Sequence, residues 1–301
     1  MILAPIVLFV YNRPWHTRQT VGALKKNELA SESELFIFSD GWKNEQDKTK
    51  VLEVREYLKT IDGFKRVHII ERERNYGLAD NIIDGVTKVV NEYGKIIVLE
   101  DDIVTSPYFL KFMNEALERY KDEERVFGVN GYAFPIKKEG LPSAYFLKSF
   151  ACWGWGTWKR AWKFFEKNPD KLIKTFTKDM IREFNFDNSY DYWYQVIANK
   201  KGKINTWAIF FYTSAFLNNG LFLAPRDSFT KNIGHDLSGV HSEKVKYFDT
   251  ELALEYNINF PEKIEEHKLA RQRHIEYFKK HLKVTLWKKI LYKLKKLAQK
   301  R

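Results

Sequence analysis

The sequence contains very little cysteine and no long apolar run. Its single cysteine, Cys152, excludes an internal disulfide and a zinc site built from cysteine pairs, and it fits a reducing compartment. No window approaches the ~20 consecutive apolar residues of a membrane-spanning helix, so we expect no such helix. The apolar opening at residues 1–10 is short and lacks a basic leader, so we interpret it as a buried strand rather than a signal peptide.

Linkers rich in proline, glycine or serine, internal repeats and low-complexity segments are also missing. The 301 residues are 44% hydrophobic, which is ample for one large domain or two small ones, each with a core. We therefore expect the chain to be folded throughout, apart from its extreme C-terminus.

Negative charge is absent from the C-terminal segment. The net charge is +12, and ten Lys or Arg but no acid lie in residues 279–301, so the rest of the chain carries about +2. A charge confined to one appendage argues against a protein-wide nucleic-acid face, and we predict no nucleic-acid partner.

Short apolar runs alternate with helical patterns through the first hundred residues. The runs rich in Ile, Val, Leu and Phe are residues 5–10, 34–39, 66–71 and 95–100. One intervening stripe places Leu78, Ile82 and Val86 at the spacing of a helix, and Pro14 suits the first turn of another. This alternation predicts an α/β fold with a mostly parallel sheet covered by helices on both faces.

Three consecutive acids, Glu100, Asp101 and Asp102, directly follow the last of these runs. Ligands of open α/β sheets bind at the carboxyl ends of the strands. A divalent cation that bridges substrate phosphates is a common way to hold such acids together. The alternative interpretation is a solvated acidic turn that happens to follow a strand.

Polar residues also follow the other three runs. They are Tyr11, Asn12 and Arg13; Asp40; and Asp80 and Asn81. Arg13 could pair with a diphosphate or be a surface cation, and Asp40 could bind a ribose or base edge or form an ordinary Asp-Gly turn. Gly77 permits a tight turn, after which Asp80 could be a plain helix cap.

Taken together, these segments resemble the GT-A fold of nucleotide-sugar glycosyltransferases. Residues 5–14 resemble the first strand and turn of family 2, and Asn75, Gly77 and Asn81 resemble its N-x-G-x-x-x-N segment. Residues 98–102, followed by Ser-Pro, are similar to the acidic motif of the N-acetylglucosaminyltransferase I group and of bacterial surface-polysaccharide transferases. The resemblance covers residues 4–242, with four motifs in the expected order.

The resemblance implies roles for the acidic cluster and its neighbours. Asp102 would bind Mn²⁺ or Mg²⁺, Glu100 and Asp101 would contact the donor sugar or ribose, and Asp40 would contact the nucleoside. The run Trp153, Gly154 and Trp155 resembles a segment at the boundary between donor and acceptor, where aromatic rings stack on sugar faces. An aromatic corner of the core is the alternative for this run.

The resemblance also implies a catalytic base and a closing loop. Residues 189–193 match the segment that holds the base in the N-acetylglucosaminyltransferase I group, so Asp191 is the candidate and Asp187 the second choice. A surface aspartate that opens a helix is the alternative. Residues 232–241 resemble the closing loop of that group, where His241, rather than His235, matches the histidine that would contact phosphate or metal.

The implied activity is metal-dependent, inverting transfer of a sugar from a nucleoside-diphosphate sugar, with UDP favoured, to a hydroxyl of a glycan or lipid-linked acceptor. Residues 1–125 would bind the donor, 126–250 would form the acceptor and catalytic half of the same GT-A domain, and 251–301 a helical extension. A nucleotidyltransferase and a non-catalytic carbohydrate-binding or scaffold protein are the alternatives. The first is disfavoured because a glycine-rich phosphate loop is absent after the first strand.

The C-terminal residues 279–301 have the pattern of a basic amphipathic helix. Leucines, an isoleucine and Trp287 fall on one helical face, with lysines around the rest. We predict that this helix binds an anionic membrane surface, which places the protein in the cytoplasm at the inner face of the cell membrane. Docking on the protein's own core, binding of a partner and a nucleic-acid-binding arm are the alternatives.

Overall fold

The computed structural model describes residues 2–236 and 246–282. His241 and residues 283–301, which carry the predicted metal ligand and most of the predicted membrane helix, lie outside the described residues. The first four strands have almost the predicted bounds: β1 Ile6–Val10, β2 Glu34–Ser39, β3 Arg66–Glu71 and β4 Lys95–Glu100.

Three helices separate these strands. They are α1 Pro14–Leu24, α2 Glu45–Leu58 and α3 Leu78–Tyr93. Proline begins α1, and the Asn44 side chain caps α2 by accepting the Asp47 N–H at 3.0 Å. Gly94 ends α3 with φ of 79°, a left-handed conformation that glycine adopts without steric cost.

The second half supplies six more strands. They are β5 Ile103–Thr105, β6 Val126–Asn130, β7 Ala144–Leu147, β8 Trp155–Trp158, β9 Leu221–Pro225 and β10 Thr230–Asn232. The described strands form an eight-stranded sheet in the order β3-β2-β1-β4-β8-β6-β9-β7, and β5 pairs with β10 in a separate ribbon. Only β8 and β7 run antiparallel to their neighbours in the large sheet, so the sheet is mostly parallel, as predicted.

Seven further helices follow α3. They are α4 Phe109–Arg119, α5 Lys159–Trp162, α6 Pro169–Thr175, α7 Lys178–Phe184, α8 Trp193–Lys200, α9 Ala208–Leu217 and α10 Lys268–His281. Single 3₁₀ turns occur at Ala30–Glu32 and Lys246–Phe248. In the described part of the chain, none of these helices combines the length and hydrophobicity needed to cross a bilayer.

The hydrophobic core lies on both faces of the large sheet. Along β1, Ile6, Leu8 and Val10 belong to one buried cluster, and Val7 and Phe9 belong to the other. Alternate residues of a strand point to opposite faces, so a strand buried on both sides consists of apolar residues throughout. This confirms the predicted sheet covered by helices on both faces.

Candidate active site

The exits of β1 and β4 meet in the middle of the large sheet. The two strands are parallel neighbours, and Phe9 pairs with Glu100. The chain order reverses at this point, because β2 and β3 lie beyond β1 on the other side. Such a switch point opens a crevice at the carboxyl ends of the strands, where α/β proteins bind ligands.

Arg13 joins the two exits by binding two carboxylates. Its Nη2 forms ion pairs with Asp101 and, at 3.0 Å, with Asp102. Burial would lower the pKa of the Arg13 guanidinium, but the charges of Asp101 and Asp102 outweigh it and raise that pKa. Asp101 also accepts the Tyr11 N–H at 3.4 Å and is only 4% exposed, so protein partners occupy both of its oxygens.

The cluster keeps an excess of negative charge. Burial, together with the charges of Asp102 and Asp101, raises the pKa of Glu100 to about 8, and Arg13 opposes this only in part. Three carboxyl groups therefore share one guanidinium. A further cation beside them would favour ionised Glu100 and offset the mutual repulsion of the acids.

The donor set of this cluster fits a divalent cation. Asp102 pairs with Arg13 through Oδ2, and its side chain is 13% exposed. Mg²⁺ and Mn²⁺ prefer oxygen ligands and are commonly held by one or two carboxylates plus substrate phosphates. Within residues 2–236 and 246–282, three or more His, Cys, Asp or Glu side chains do not converge as a metal site. A metal here would therefore need further ligands besides the described carboxylates of this cluster.

The backbone around Gly234 covers Asp102. The Ile233 N–H donates to the Asp102 backbone carbonyl at 2.9 Å. A Cβ atom added to Gly234 would lie 2.1 Å from Asp102 Oδ2 and 3.0 Å from Arg13 Nη1, so only glycine permits this approach. The segment that resembles a closing loop therefore begins directly over the acidic cluster.

His235 follows Gly234 and lies between two aromatic rings. Its ring centroid is 5.3 Å from that of Trp153 and 5.7 Å from that of Phe248. Both of its ring nitrogens are buried and have no hydrogen-bond partner among the described residues. The sequence favoured His241 over His235. The structure brings His235 to the site, and the adjoining Gly234 is the sequence signal that could have indicated it.

Tyr11 and Asn12 are held by an acid that the sequence analysis did not identify. The Tyr11 hydroxyl donates to Asp47 at 3.0 Å and accepts the Lys43 N–H at 3.0 Å. The Asn12 amide donates to Asp47 at 2.7 Å. Asp47 is in the first turn of α2, where an acid is usually explained by the helix dipole, so the sequence alone does not indicate its contact with β1.

Asp40 organises the loop before α3. Its carboxylate accepts four N–H groups at 2.8–3.1 Å, from the backbones of Gly41, Tyr76 and Gly77 and from the Asn75 side chain. Burial raises the pKa of Asp40, and these N–H groups oppose that rise. A carboxylate has about four acceptor positions, and here they are all engaged. A contact between Asp40 and the nucleoside stays a prediction.

Asp80 and Asn81 have protein partners in the structure. Asn81 is 3% exposed and accepts from the Arg72 Nε at 3.0 Å, which ties α3 to the end of β3. Asp80 is exposed and lies 3.6 Å from the Lys167 Nζ. These contacts explain both residues structurally, and their predicted role in donor binding stays untested.

In the run Trp153, Gly154 and Trp155, the two tryptophans have different surroundings: Trp155 lies in the core and Trp153 lies near the candidate site. Trp155 is fully buried in β8, where its ring stacks on Trp207 at 5.1 Å. The prediction that the Trp155 ring contacts a sugar is therefore wrong. Trp153 packs elsewhere. Its ring makes an edge contact with the Tyr132 ring, with centroids 4.6 Å apart, and lies beside His235.

Gly154 packs against the segment that leads to the site. It has φ of 75°, and its carbonyl accepts the Gly131 N–H at 2.7 Å. An added Cβ would lie 2.6 Å from the Thr230 Cγ2. The glycine thus serves close packing between β8 and the strand β10 that carries the closing segment.

Asp191 lies two residues before α8, which begins at Trp193. It is exposed and accepts the Tyr194 N–H at 3.2 Å, as a helix cap does. Burial raises the pKa of the Cys152 thiol, and the charges of Glu100 and Asp102 raise it further. Burial also raises the pKa of Tyr192, which is within electrostatic reach of Cys152. The second candidate, Asp187, lies 3.4 Å from the Arg271 guanidinium.

Solved structures that are similar to this chain at low sequence identity include those of TarS and of a mannosyltransferase. TarS from S. aureus is 11% identical, with a TM-score of 0.42, over 75% of this chain and 36% of TarS. TarS 1-349 in complex with UDP-GlcNAc gives a TM-score of 0.41 at 11% identity, over 75% of this chain and 57% of that one. The mannosyltransferase PcManGT from Pyrobaculum calidifontis, in complex with GDP-Man and Mn²⁺, gives a TM-score of 0.36 at 10% identity, over 62% of this chain and 51% of PcManGT. The chain thus spans less than two thirds of each.

The family model described as glycosyl transferase family 2 matches residues 6–182, which is more than half of the chain. No curated protein sequence matches this chain. The match begins at β1 and includes the acidic cluster, Trp153 and α5. The chain therefore belongs to glycosyl transferase family 2, and its mostly parallel sheet flanked by helices is the GT-A arrangement.

Proposed function

We propose that this protein transfers a sugar from a UDP-sugar to a hydroxyl group of an acceptor, with inversion at the sugar carbon and with help from Mn²⁺ or Mg²⁺. The observation that carries the proposal is the acidic cluster at the switch point between β1 and β4. Its three carboxyl groups share the single Arg13 cation, and the backbone at Gly234 covers them. Family membership supports the reaction class.

The donor diphosphate would lie beside Asp102, whose side chain is more exposed than that of Asp101. Asp102 would hold the cation, which when bound supplies charge neutralisation for the leaving nucleotide. Burial raises the pKa of Asp101, and the permanently charged Arg13 opposes that rise and fixes the Asp101 side chain, while Asp102 would face the ligand. Glu100 would accept a hydroxyl of the donor sugar or ribose once the added cation favours its ionised form.

Inversion requires a base on the face of the sugar opposite the leaving group. Asp191 fills that role in our proposal, because it matches the position of the base in the family that the sequence resembles, is exposed, and is held by the Asn185 side chain at 3.3 Å. It would accept the proton of the acceptor hydroxyl as the new bond forms, a contribution typically worth ~10²–10⁴-fold in rate. Trp153, in edge contact with Tyr132 and beside His235, would contact the sugar.

The acceptor in this proposal is a glycan or lipid-linked sugar of a bacterial surface polysaccharide. The basic residues 279–301 support it, because they would keep the protein at an anionic membrane on the cytoplasmic side. Each lysine near such a surface contributes about 1 kcal/mol of binding free energy.

The first test is release of UDP from UDP-glucose, UDP-galactose and UDP-N-acetylglucosamine, with Mn²⁺ or with a chelator. We expect Asp102→Asn to reduce release at least ~10²-fold with unchanged circular dichroism, because it removes the ligand that bridges metal and diphosphate. Asp62→Asn is the matched control, since Asp62 is an exposed acid of the same half whose partner is Lys25, and it should retain most of the activity.

Two results would contradict the proposal. Full activity of Asp102→Asn, or of the unaltered protein in the chelator, would remove the metal from the reaction. Absence of UDP release and of UDP-sugar binding throughout the panel would favour the non-catalytic alternative.

A further inference from the structure

The chain before Asp191 has an unusual backbone. Three consecutive residues other than glycine, Phe186, Asp187 and Asn188, have positive φ angles of 48°, 54° and 59°. In this left-handed region Cβ approaches the following carbonyl oxygen, so residues with side chains usually adopt it singly rather than in runs. Such strain persists only where surrounding groups hold it, and it is concentrated at functional sites.

The residue that holds this turn is Arg271 of α10. Its Nη2 donates to the Glu183 carbonyl at 3.3 Å and to the Asp187 carboxylate at 3.4 Å. Its guanidinium carbon lies 4.8 Å from the centre of the Phe186 ring. Its Nη1 contacts Glu266 at 3.5 Å, which fixes the orientation of the planar group. One side chain therefore contacts the turn at three points.

Phe186 attaches the same turn to the hydrophobic side of α10. It is fully buried, and its ring lies 5.6 Å from that of Phe278 and 6.1 Å from that of His274. The ion pair and the apolar contacts thus come from the same helix. The turn cannot relax to right-handed geometry without leaving α10.

The geometry of the turn determines where Asp191 lies. The turn closes with a hydrogen bond from the Tyr190 N–H to the Asn185 carbonyl at 3.2 Å. The Asn185 side chain then donates to Asp191 at 3.3 Å and accepts the Trp193 N–H at 2.9 Å. Asn185, at the base of the turn, therefore fixes both Asp191 and the first turn of α8.

We infer that Arg271 is a positioning residue for Asp191: it holds the left-handed turn at residues 186–188, and the turn sets the place of the base. The inference rests on the proposed function, in which Asp191 accepts the acceptor proton. It assigns to α10 a role in the reaction, although α10 lies far along the chain from every residue of the acidic cluster. Arg271 itself touches no reacting group.

The test compares Arg271→Ala and Arg271→Lys with Arg273→Ala. Arg273 is two residues away on α10 and pairs with Glu276 at 3.0 Å, so Arg273→Ala removes an ion pair from the same helix and serves as the control. UDP release is measured with the most active UDP-sugar of the panel, Mn²⁺, and water as acceptor. Amide hydrogen exchange is measured over residues 185–192.

We expect Arg271→Ala to lower kcat about 10–100-fold, since a displacement of ~1 Å can cost ~10²-fold, while the KM for the UDP-sugar changes less than about twofold. Exchange of residues 185–192 should rise in this variant. Arg271→Lys keeps the charge but not the planar guanidinium, so its kcat and its amide exchange should lie between those of Arg271→Ala and the unaltered chain. If Arg271→Ala does not fold, Arg271→Lys is compared with Arg273→Ala instead. Arg273→Ala should match the unaltered chain.

The inference is overturned if Arg271→Ala exchanges like Arg273→Ala, or if its exchange rises while kcat stays unchanged. A drop in kcat with an equal rise in KM would also overturn it, because that result indicates general loosening of the site. These results differ from failure of the proposed function, in which the unaltered chain itself releases no UDP from any sugar of the panel.

Discussion

Arg13 contacts two acids that differ in their surroundings. Asp101 is surrounded by protein partners, whereas Asp102 is more exposed and faces the closing segment. Removing one member of a buried ion pair leaves the other charge uncompensated, which is far more costly than losing an exposed pair. The two neighbouring acids should therefore respond differently to the same substitution.

We predict that Asp101→Asn lowers the free energy of unfolding by roughly 2–3 kcal/mol, because the amide cannot accept from both Arg13 and the Tyr11 N–H, although Arg13 keeps Asp102. Asp102→Asn should lower it by less than about 2 kcal/mol, because the Arg13–Asp101 pair remains. Urea unfolding of both variants, followed by circular dichroism, checks the difference. Equal destabilisation would show that Asp102 is also mainly a structural residue.

Gly154 and Gly94 both have left-handed φ but differ in their surroundings. A Cβ on Gly154 would lie 2.6 Å from Thr230, whereas no described atom lies within 4 Å of a Cβ on Gly94. We predict that Gly94→Ala costs about 1–2 kcal/mol from backbone strain, and that Gly154→Ala costs a further ~1–3 kcal/mol from overpacking. Equal unfolding midpoints for the two variants would show that the contact with Thr230 is easily relieved.

At the level of whole elements, α10 is attached to the body by an apolar face that includes a histidine. Ala270, His274 and Phe278 are nearly or fully buried. Burial lowers the pKa of His274 to about 4, although the bond to the Ala270 carbonyl at 2.8 Å favours the charged form. His274 is therefore neutral in the folded protein at pH values where it is charged in the unfolded chain.

This shift predicts that acid destabilises α10. The pKa of His274 is about 4 in the folded protein and 6.5 in the unfolded chain, so the unfolded chain binds an extra proton between these pH values. The contribution of His274 to the free energy of unfolding is therefore full above pH 6.5 and falls as the pH drops towards 4. The slope is at most about 1.4 kcal/mol per pH unit. Urea unfolding between pH 7 and pH 4.5 should show a smaller loss in His274→Gln than in the unaltered chain. Identical slopes would contradict the assignment.

The basic segment after α10 should behave as a separate binding element. We predict that vesicles containing anionic lipid retain the full chain in low salt but release a shortened chain that ends at Leu282. The reason is that eight of the ten Lys and Arg of residues 279–301, together with Trp287, are removed. Flotation with neutral vesicles is the control. Equal retention of both chains would eliminate the membrane prediction.

At the scale of the whole molecule, the sequence predicted the first half of the fold closely. The runs that became β2, β3 and β4 had the observed bounds, because strands buried on both faces are apolar throughout and polar loops separate them. The acidic cluster was found for the same reason, since it interrupts such a run at its end. The ion pair between Arg13 and Asp101 was not predicted, because it depends on which strands become neighbours in the sheet.

The second half was predicted less well, and Trp155 shows why. Glycines and aromatic residues at the end of a loop are typical of a sugar site, but residues 155–158 form β8, which pairs with β4 and β6. The strand is short, and its pairing is antiparallel and distant along the chain, so local periodicity does not indicate it. Sequence spacing placed Trp153 and Trp155 together, whereas Gly154, with φ of 75°, turns the chain between them, and the two rings pack against different hydrophobic clusters.

The insertion of β8 also limits how this protein can be divided. The predicted donor half, residues 1–125, contains β4 but not the strand that covers its outer edge. Cut at that boundary, the fragment would present an apolar strand with unpaired backbone groups, which is a template for aggregation. Chimaeras that exchange acceptor specificity between relatives must therefore carry residues 155–158 with the recipient sheet, and grafting is better confined to loops beyond β8.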